Sequence, residues 1–317
     1  MKVSVSRLAV VISLAFVLII AVFLSIRRQK GKVEFLTEHN KAIDMQPSVS
    51  PDGQTLAFVR FKELMLLDLS SRKLKKVNPN GLVGIAHPSW SPDGKKLAFS
   101  ALHSEPFHEG DLNLGVHLIV MDLKTLNWEC LTPDFDFNVR PSWSPDGRKL
   151  VFTKSIKGAA SLCIYDFQRK QLKRINSQWG RSPAWSPDGK TIAFISGKGK
   201  SPDVWLMDAE GRNFRPLFED ESTDEDTPCW TPDGKFVVFT RQIALAAGPQ
   251  RRDLWAVRVS DKKAFQLTEC PEDWWAISPC VSPDGKAVIF ALRRVDHAVI
   301  CRIFVDWDEI KAQKLGW

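Results

Sequence analysis

The residues best suited to metal chemistry lie close together near position 105. Two histidines and three carboxylates fall within nine positions: His103, Glu105, His108, Glu109 and Asp111. Imidazole nitrogens and carboxylate oxygens are ligands that divalent metals accept. Their spacing matches no diagnostic metal motif, and a solvated polar loop has the same composition. The sequence therefore makes His103 and His108 weak candidates for a metal site, and we predict no metal and no cofactor.

A second polar group precedes a proline that recurs along the chain. These positions mix imidazole, guanidinium, carboxylate and indole side chains, whereas the residues after the proline are nearly uniform. Arginine suits a carboxylate or phosphate, and tryptophan suits a sugar or peptide face. The predicted binding residues are His87, Arg140, Arg181, Asp226, Trp274 and Trp275, with Gln46, Ser182 and Glu225 at matching positions. The alternative is that these are solvated loop residues without a ligand.

The sequence contains no recognised catalytic motif. Gly-x-Ser-x-Gly, His-Glu-x-x-His and a Gly-rich phosphate loop are all missing from the 317 residues. We therefore predict no catalytic residue. The alternative is a propeller enzyme of the lyase, lactonase or hydrolase kind, which would require His87, His103 and His108 to converge. The acidic run 219–226 is interpreted as a solvated loop, with a cation site as its alternative.

A sixfold repeat is expected to position these residues. Each copy begins with proline and carries Ser/Thr-Pro-Asp-Gly at a fixed offset. The copies start at Pro47, Pro88, Pro141, Pro183, Pro228 and Pro279, at intervals of 41, 53, 42, 45 and 51 residues. A period in the forties is the length of one four-stranded propeller blade. The tetrad has the residues of a hairpin turn, so its aspartates are predicted to shape the turn.

Each copy therefore predicts four strands. An inner strand precedes the turn, a second strand follows it, a third ends in Asp, and a fourth closes on Leu-Thr. Four strands in each of six copies predict an all-β, six-bladed propeller over residues 33–317. The segment 33–37 matches a fourth strand but precedes the first copy. We predict that it pairs with the last third strand, residues 300–306, and residues 311–317 are the alternative.

The N-terminal segment differs from the rest of the chain. Residues 8–26 carry no charge over 19 positions, a length that spans a bilayer core as a helix. We predict that residues 1–32 are a membrane anchor with its transmembrane helix at 8–26, and a cleaved signal peptide is the alternative. Residues 33–317 hold 38 basic and 37 acidic side chains. This balance gives no global footprint for nucleic acid.

The repeat resembles a known family. Pro141–Phe152, the strands 118–122 and 204–208 that end in Met-Asp, and the Leu-Thr at 131–132 are similar to repeats of TolB-like propellers. WD-repeat-like propellers and those of prolyl oligopeptidases and dipeptidyl peptidases are also similar. The resemblance implies an extracytoplasmic six-bladed propeller. The separate α/β domain of TolB and the hydrolase domain of the peptidases have no counterpart in this sequence.

These observations predict a membrane-anchored propeller that is periplasmic or exposed at the cell surface. Its predicted role is non-catalytic: it binds or scaffolds a protein, a peptide or a glycan, and no nucleic acid. A channel-mouth enzyme is the first alternative. A sensory or assembly subunit of a larger membrane complex is the second.

Overall fold

The computed structural model describes residues 33–38, 42–77, 79–103, 115–134, 136–156, 158–175, 180–243, 251–271 and 273–312. These residues form β-strands and one short helix, α1 (Trp307–Ala312). The all-β prediction is therefore confirmed. The predicted anchor, residues 1–32 with its span at 8–26, lies outside the described residues. In the ranges that are described, no helix has both the length and the apolar character needed to cross a membrane.

The chain first forms the short strand β1 (Val33–Phe35) and then four separate antiparallel sheets of four strands each. The first sheet contains β2 (Asp44–Val49), β3 (Thr55–Arg60), β4 (Glu63–Asp68) and β5 (Leu74–Val77). The second contains β6 (Leu82–Trp90), β7 (Lys96–His103), β8 (His117–Asp122) and β9 (Trp128–Cys130). The third contains β10 (Phe137–Trp143), β11 (Lys149–Ile156), β12 (Ala159–Asp166) and β13 (Gln171–Arg174). The fourth contains β14 (Gly180–Trp185), β15 (Thr191–Ser196), β16 (Asp203–Asp208) and β17 (Arg215–Phe218).

The remaining strands form one eight-stranded sheet together with β1. They are β18 (Thr223–Trp230), β19 (Phe236–Ile243), β20 (Arg251–Arg258), β21 (Ala264–Gln266), β22 (Trp275–Val281), β23 (Ala287–Arg293) and β24 (Ala298–Phe304). A single parallel pair, Arg252 with Trp275, joins two antiparallel four-strand arrays. The prediction of four-stranded blades is confirmed. The predicted count of six blades is not confirmed by the sheets, because four sheets are separate and this pair joins the last two arrays into one sheet.

The N-terminal strand closes the last array, as the sequence predicts. β1 pairs antiparallel with β24, and Glu34 lies opposite Arg302 in the register. The carboxylate of Glu34 accepts a hydrogen bond of 2.5 Å from Arg302. Beyond the strand, Leu36 N donates to Ile300 O at 2.8 Å, and Thr37 Oγ1 accepts from Ile300 N at 3.0 Å. Two segments 263 residues apart in the chain are thus held together by backbone and side-chain contacts.

The recurring tetrad forms the same turn in each copy. In the third copy, Ser144 Oγ donates to Asp146 Oδ1 at 2.6 Å, and Arg148 N donates to the same oxygen at 3.0 Å. Gly147 supplies the positive φ of 70° that the turn requires. The hydrogen bond from Ser144 lowers the pKa of Asp146. The same serine or threonine contact forms in all six copies, so these aspartates stabilise turns.

Successive turns touch one another in a cycle. A Cβ added to Gly94 would lie 3.8 Å from Pro51 of the preceding turn. The other contacts of this kind are Gly147 with Pro92, Gly189 with Pro145, Gly234 with Pro187, Gly285 with Pro232, and Gly53 with Pro283. The last contact returns from the first turn to the sixth. The apolar core lies between neighbouring sheets; for example, Leu64 of β4 packs in one cluster with Phe99 of β7.

Candidate functional site

The inner strand of each copy contains an unusual backbone conformation. The residue before the repeat proline has a left-handed φ, which is uncommon for any residue except glycine. The angles are 57° at Gln46, 55° at His87, 59° at Arg140, 54° at Ser182, 49° at Thr227 and 53° at Ser278. The ladder to the second strand shifts register at this point, as between Val139 and Ser142. The sequence therefore bends each inner strand at the same place.

These six residues and their prolines line a single cavity of about 120 Å³. The predicted residues His87 and Arg140 are part of its lining. Arg181 and Asp226 each lie one position before a lining residue. Thr227 and Ser278 were missed as equivalents of His87, although counting one position back from each repeat proline would have found them.

Asp226 joins three consecutive inner strands at the channel mouth, the end of the sheets where inner strands begin. Both terminal nitrogens of Arg140, from β10, donate to its carboxylate at 3.3 Å. Arg181, from β14, donates at 2.5 Å, and Ser182 Oγ donates at 2.9 Å. Burial alone raises the pKa of Asp226, but the charges of Arg140 and Arg181 bring it below its ordinary value. The carboxylate is therefore ionised and holds two guanidinium groups in place.

His87 lies beside this group as a neutral imidazole. Its backbone N donates to Gln46 Oε1 at 2.8 Å. Its ring Nδ1 is buried and has no hydrogen-bond partner. Burial, with the positive charge of Arg140, lowers the pKa of His87 to about 3. His87 thus brings an unpartnered polar atom to the cavity without adding charge.

The two predicted tryptophans have different surroundings. Trp274 is 4% exposed and packs edge-on against His297, with ring centroids 5.2 Å apart. Trp275 is half-buried, and the guanidinium of Arg293 lies 5.7 Å from the centroid of its ring. Only Trp275 therefore offers surface to a ligand.

Glu225 points away from its neighbour Asp226, because successive residues of a strand face opposite sides. Its side chain is 0% exposed, and Thr223 Oγ1 donates to its Oε1 at 2.7 Å. Arg241 Nε lies 3.6 Å from the same Oε1. Burial raises the pKa of Glu225 to about 8, and the charge of Asp203 contributes. This buried acid belongs to the packing between sheets, and its perturbed pKa depends on residues of other strands that the sequence alone does not bring together.

Of the two weak metal candidates, only His103 lies within the described residues, and it is away from the mouth cavity. His103 packs against His117 and Trp128, with ring centroids 5.0 and 5.3 Å away. It does not line the cavity that contains His87. His108 lies outside the described residues. Among the side chains that the structure does place, no group of three His, Cys, Asp or Glu residues could hold a metal ion.

Four-stranded antiparallel sheets that follow one another around a cavity define the β-propeller class. Residues 107–313 match the model of the TolB beta propeller domain family. The chain belongs to this family, which confirms the resemblance seen in the repeat.

Individual relatives support the same family. The chain is 30% identical over 142 residues to dipeptidyl-peptidase 5 of Porphyromonas gingivalis, which covers 40% of this chain and 20% of that protein. It is 27% identical over 147 residues to a TolB homolog of Chlorobium luteolum. This match covers 45% of this chain and 31% of that protein. The chain thus spans a fifth to a third of these relatives. A TolB structure from Agrobacterium tumefaciens shares the fold, with TM-score 0.64, 20% identity, and coverage of 84% and 91%.

Proposed function

We propose that this protein is a non-catalytic binding module that holds a protein partner at the channel mouth of a six-bladed propeller. One observation carries the proposal: Asp226 gathers Arg140 and Arg181 beside the cavity, at positions where the six copies differ in sequence. A repeat that only built the ring would not need different polar side chains at equivalent positions.

The six-bladed arrangement has two supports. Six residues with the same left-handed φ contribute to one cavity, which implies six inner strands around it. Six turns follow one another in a closed cycle of Gly–Pro contacts. In this proposal the eight-stranded sheet is two blades that share one bridge. The described β1 then supplies the fourth strand of the last blade.

The size of the cavity favours contact with a partner's surface. Small-molecule pockets are commonly 300–1,000 Å³. The volume of about 120 Å³ is far smaller. A ligand would therefore bind across the mouth, and at most one of its side chains would enter the cavity.

Exposed apolar residues at the same end favour a protein over a glycan. Phe61 is 60% exposed, Phe137 57% and Val295 77%, and each lies where an inner strand begins or where the second and third strands are joined. Phe61 also occupies a strained turn, since it and Lys62 have φ of 48° and 66°. Apolar and aromatic groups beside arginine are typical of protein interfaces. Membership of the TolB propeller family also supports a protein partner.

We also propose that residues 1–32 anchor the propeller outside the cytoplasm. The support is the uncharged run 8–26 and the family. Protease added to spheroplasts should digest the propeller. Protection until the membrane is permeabilised would place the propeller in the cytoplasm.

Site-specific crosslinking in cells tests the binding function. A photo-crosslinking amino acid replaces Phe137 at the mouth in one variant, and Leu172 at the opposite end in the matched control. Both positions are exposed, at 57% and 43%. We expect a discrete crosslinked protein from position 137 alone, lost when Arg140→Glu is added. Equal products from both positions, or none from position 137, would overturn the proposed function.

A further inference from the structure

Three residues form a row across the eight-stranded sheet at the channel mouth. Arg252 of β20 pairs with Trp275 of β22, and Trp275 pairs with Arg293 of β23. Paired residues on adjacent strands project from the same face of a sheet. The guanidinium of Arg293 lies over the ring of Trp275, 5.7 Å from its centroid. The parallel pair that joins the two arrays therefore brings two arginines to either side of one indole.

Neither arginine of this row contacts a carboxylate among the described residues, although Asp224 lies further along the same row, beyond Gln242. Within the described residues, neither Arg252 nor Arg293 forms an ion pair with a carboxylate; Arg252 Nε donates instead to Gln242 Oε1 at 2.8 Å. The preceding Arg251 pairs with Asp253 at 2.8 Å. Asp226 is already held by Arg140 and Arg181. The mouth thus has more guanidinium groups than carboxylates that contact them.

The electrostatics of Arg252 point in the same direction. Burial lowers its pKa, and although Asp226 and Asp224 oppose this, the charges of Arg181 and Arg293 add to it. A partly buried cation without a carboxylate in contact gains from an incoming anion, because low dielectric strengthens the attraction.

We propose that Arg252, Trp275 and Arg293 form a subsite for a carboxylate carried by an acidic segment of the protein partner. The planar guanidinium fork matches the two oxygens of a carboxylate. Arg140 already binds Asp226 in this way, with both terminal nitrogens at 3.3 Å. The stacked indole limits the freedom of Arg293 and shields the pair from water. This inference rests on the proposed function, since it assigns the chemistry of part of the partner.

Peptide binding to the detergent-solubilised full chain tests the subsite. Fluorescence anisotropy follows a labelled hexaglutamate peptide at low salt, with hexaglutamine as the uncharged peptide. The variant Arg252→Gln with Arg293→Gln should weaken hexaglutamate binding at least tenfold. The control, Arg212→Gln with Arg258→Gln, removes the same charge at the opposite end of the sheets. It should change the affinity less than twofold.

Four outcomes would overturn the subsite. Equal losses of hexaglutamate affinity in the two double variants would indicate nonspecific electrostatic attraction. Undetectable hexaglutamate binding by the wild type would show that the subsite does not exist. Stronger competition by inorganic phosphate than by glutarate would indicate a phosphate ligand. Circular dichroism melting checks that each variant is folded. Unchanged peptide binding by the mouth variant, together with a retained crosslink from position 137, would refute the subsite while the proposed function stands.

Discussion

Asp226 links residues at the channel mouth, because its carboxylate accepts hydrogen bonds from groups of three inner strands. Replacement by asparagine keeps the shape and removes the charge that holds Arg140 and Arg181. The side chains are partly exposed, so solvent screens part of the loss. We expect Asp226→Asn to lower the free energy of unfolding by about 1–2 kcal/mol.

Chemical denaturation of the full chain in detergent measures this loss. Asp261→Asn is the matched control, because Asp261 pairs with Arg258 at 2.9 Å in an exposed turn. Its effect should stay below about 0.5 kcal/mol. Similar losses in both variants would show that Asp226 has no special structural role.

Glu225 makes stability depend on pH. Its pKa is raised from 4.5 to about 8 in the folded protein, so the folded state binds the proton more tightly than the unfolded state. This stabilisation is complete below pH 4.5 and is lost as the pH rises through 8.

Glutamine at position 225 resembles the protonated acid and should remove this dependence. The stability of Glu225→Gln relative to wild type should therefore rise between pH 5 and 8, by about 1–3 kcal/mol. Denaturant titrations across this range measure the difference. A constant difference, or one that falls with pH, would contradict the raised pKa.

At the scale of single residues, the sequence does not reveal which side chains from different strands lie next to one another. His87 and Arg140 were found because they precede a repeat proline, and both line the cavity. The Arg252–Trp275–Arg293 row was missed as a unit, because its members come from three strands that only a cross-sheet bridge brings together. The buried environment of Glu225 likewise depends on residues from other strands.

At the scale of elements, we expect β1 to contribute strongly to stability although it has only 3 residues. It buries Val33, and Leu36 just beyond it is 5% exposed. Replacing residues 33–37 with Gly-Ser-Gly-Ser-Gly keeps residues 1–32 attached while removing these side chains. We expect the free energy of unfolding to fall by about 3–5 kcal/mol, since each buried aliphatic side chain contributes about 1.5–3 kcal/mol.

Thermal melting compares this variant with one in which residues 260–262, in the turn between β20 and β21, are replaced by Gly-Ser-Gly. The turn variant should melt close to the wild type. If the β1 variant does so too, pairing between β1 and β24 is not what closes the last array.

The elements themselves were largely predictable. The tetrad specifies the hairpin turn through local hydrogen bonds, such as Ser144 to Asp146, and these need no long-range partner. The match of 33–37 to a fourth strand identified the closing strand correctly. The union of two arrays into one sheet was not predictable, because a single bridge depends on exact strand positions.

At the scale of the whole molecule, the mouth is the end at which guanidinium groups from different sheets converge on one carboxylate. Residues 33–317 are nearly neutral overall, yet arginines gather at the mouth. Phe61, Phe137 and Val295 are exposed at the same end. The arginines, and not the exposed apolar area, are the basis for assigning the mouth to a partner, because the turn end also exposes Leu126, Leu172 and Phe214.

Hydroxyl-radical footprinting of the full chain tests this central assignment most directly. Oxidation of exposed side chains is compared between native membranes, which would retain the proposed partner, and the purified protein. Phe61, Phe137 and Val295 report on the mouth; Leu126, Leu172 and Phe214 report on the opposite end. We predict that native membranes slow the oxidation of the mouth residues alone. Protection at the opposite end, or equal rates in both samples, would contradict a partner at the channel mouth.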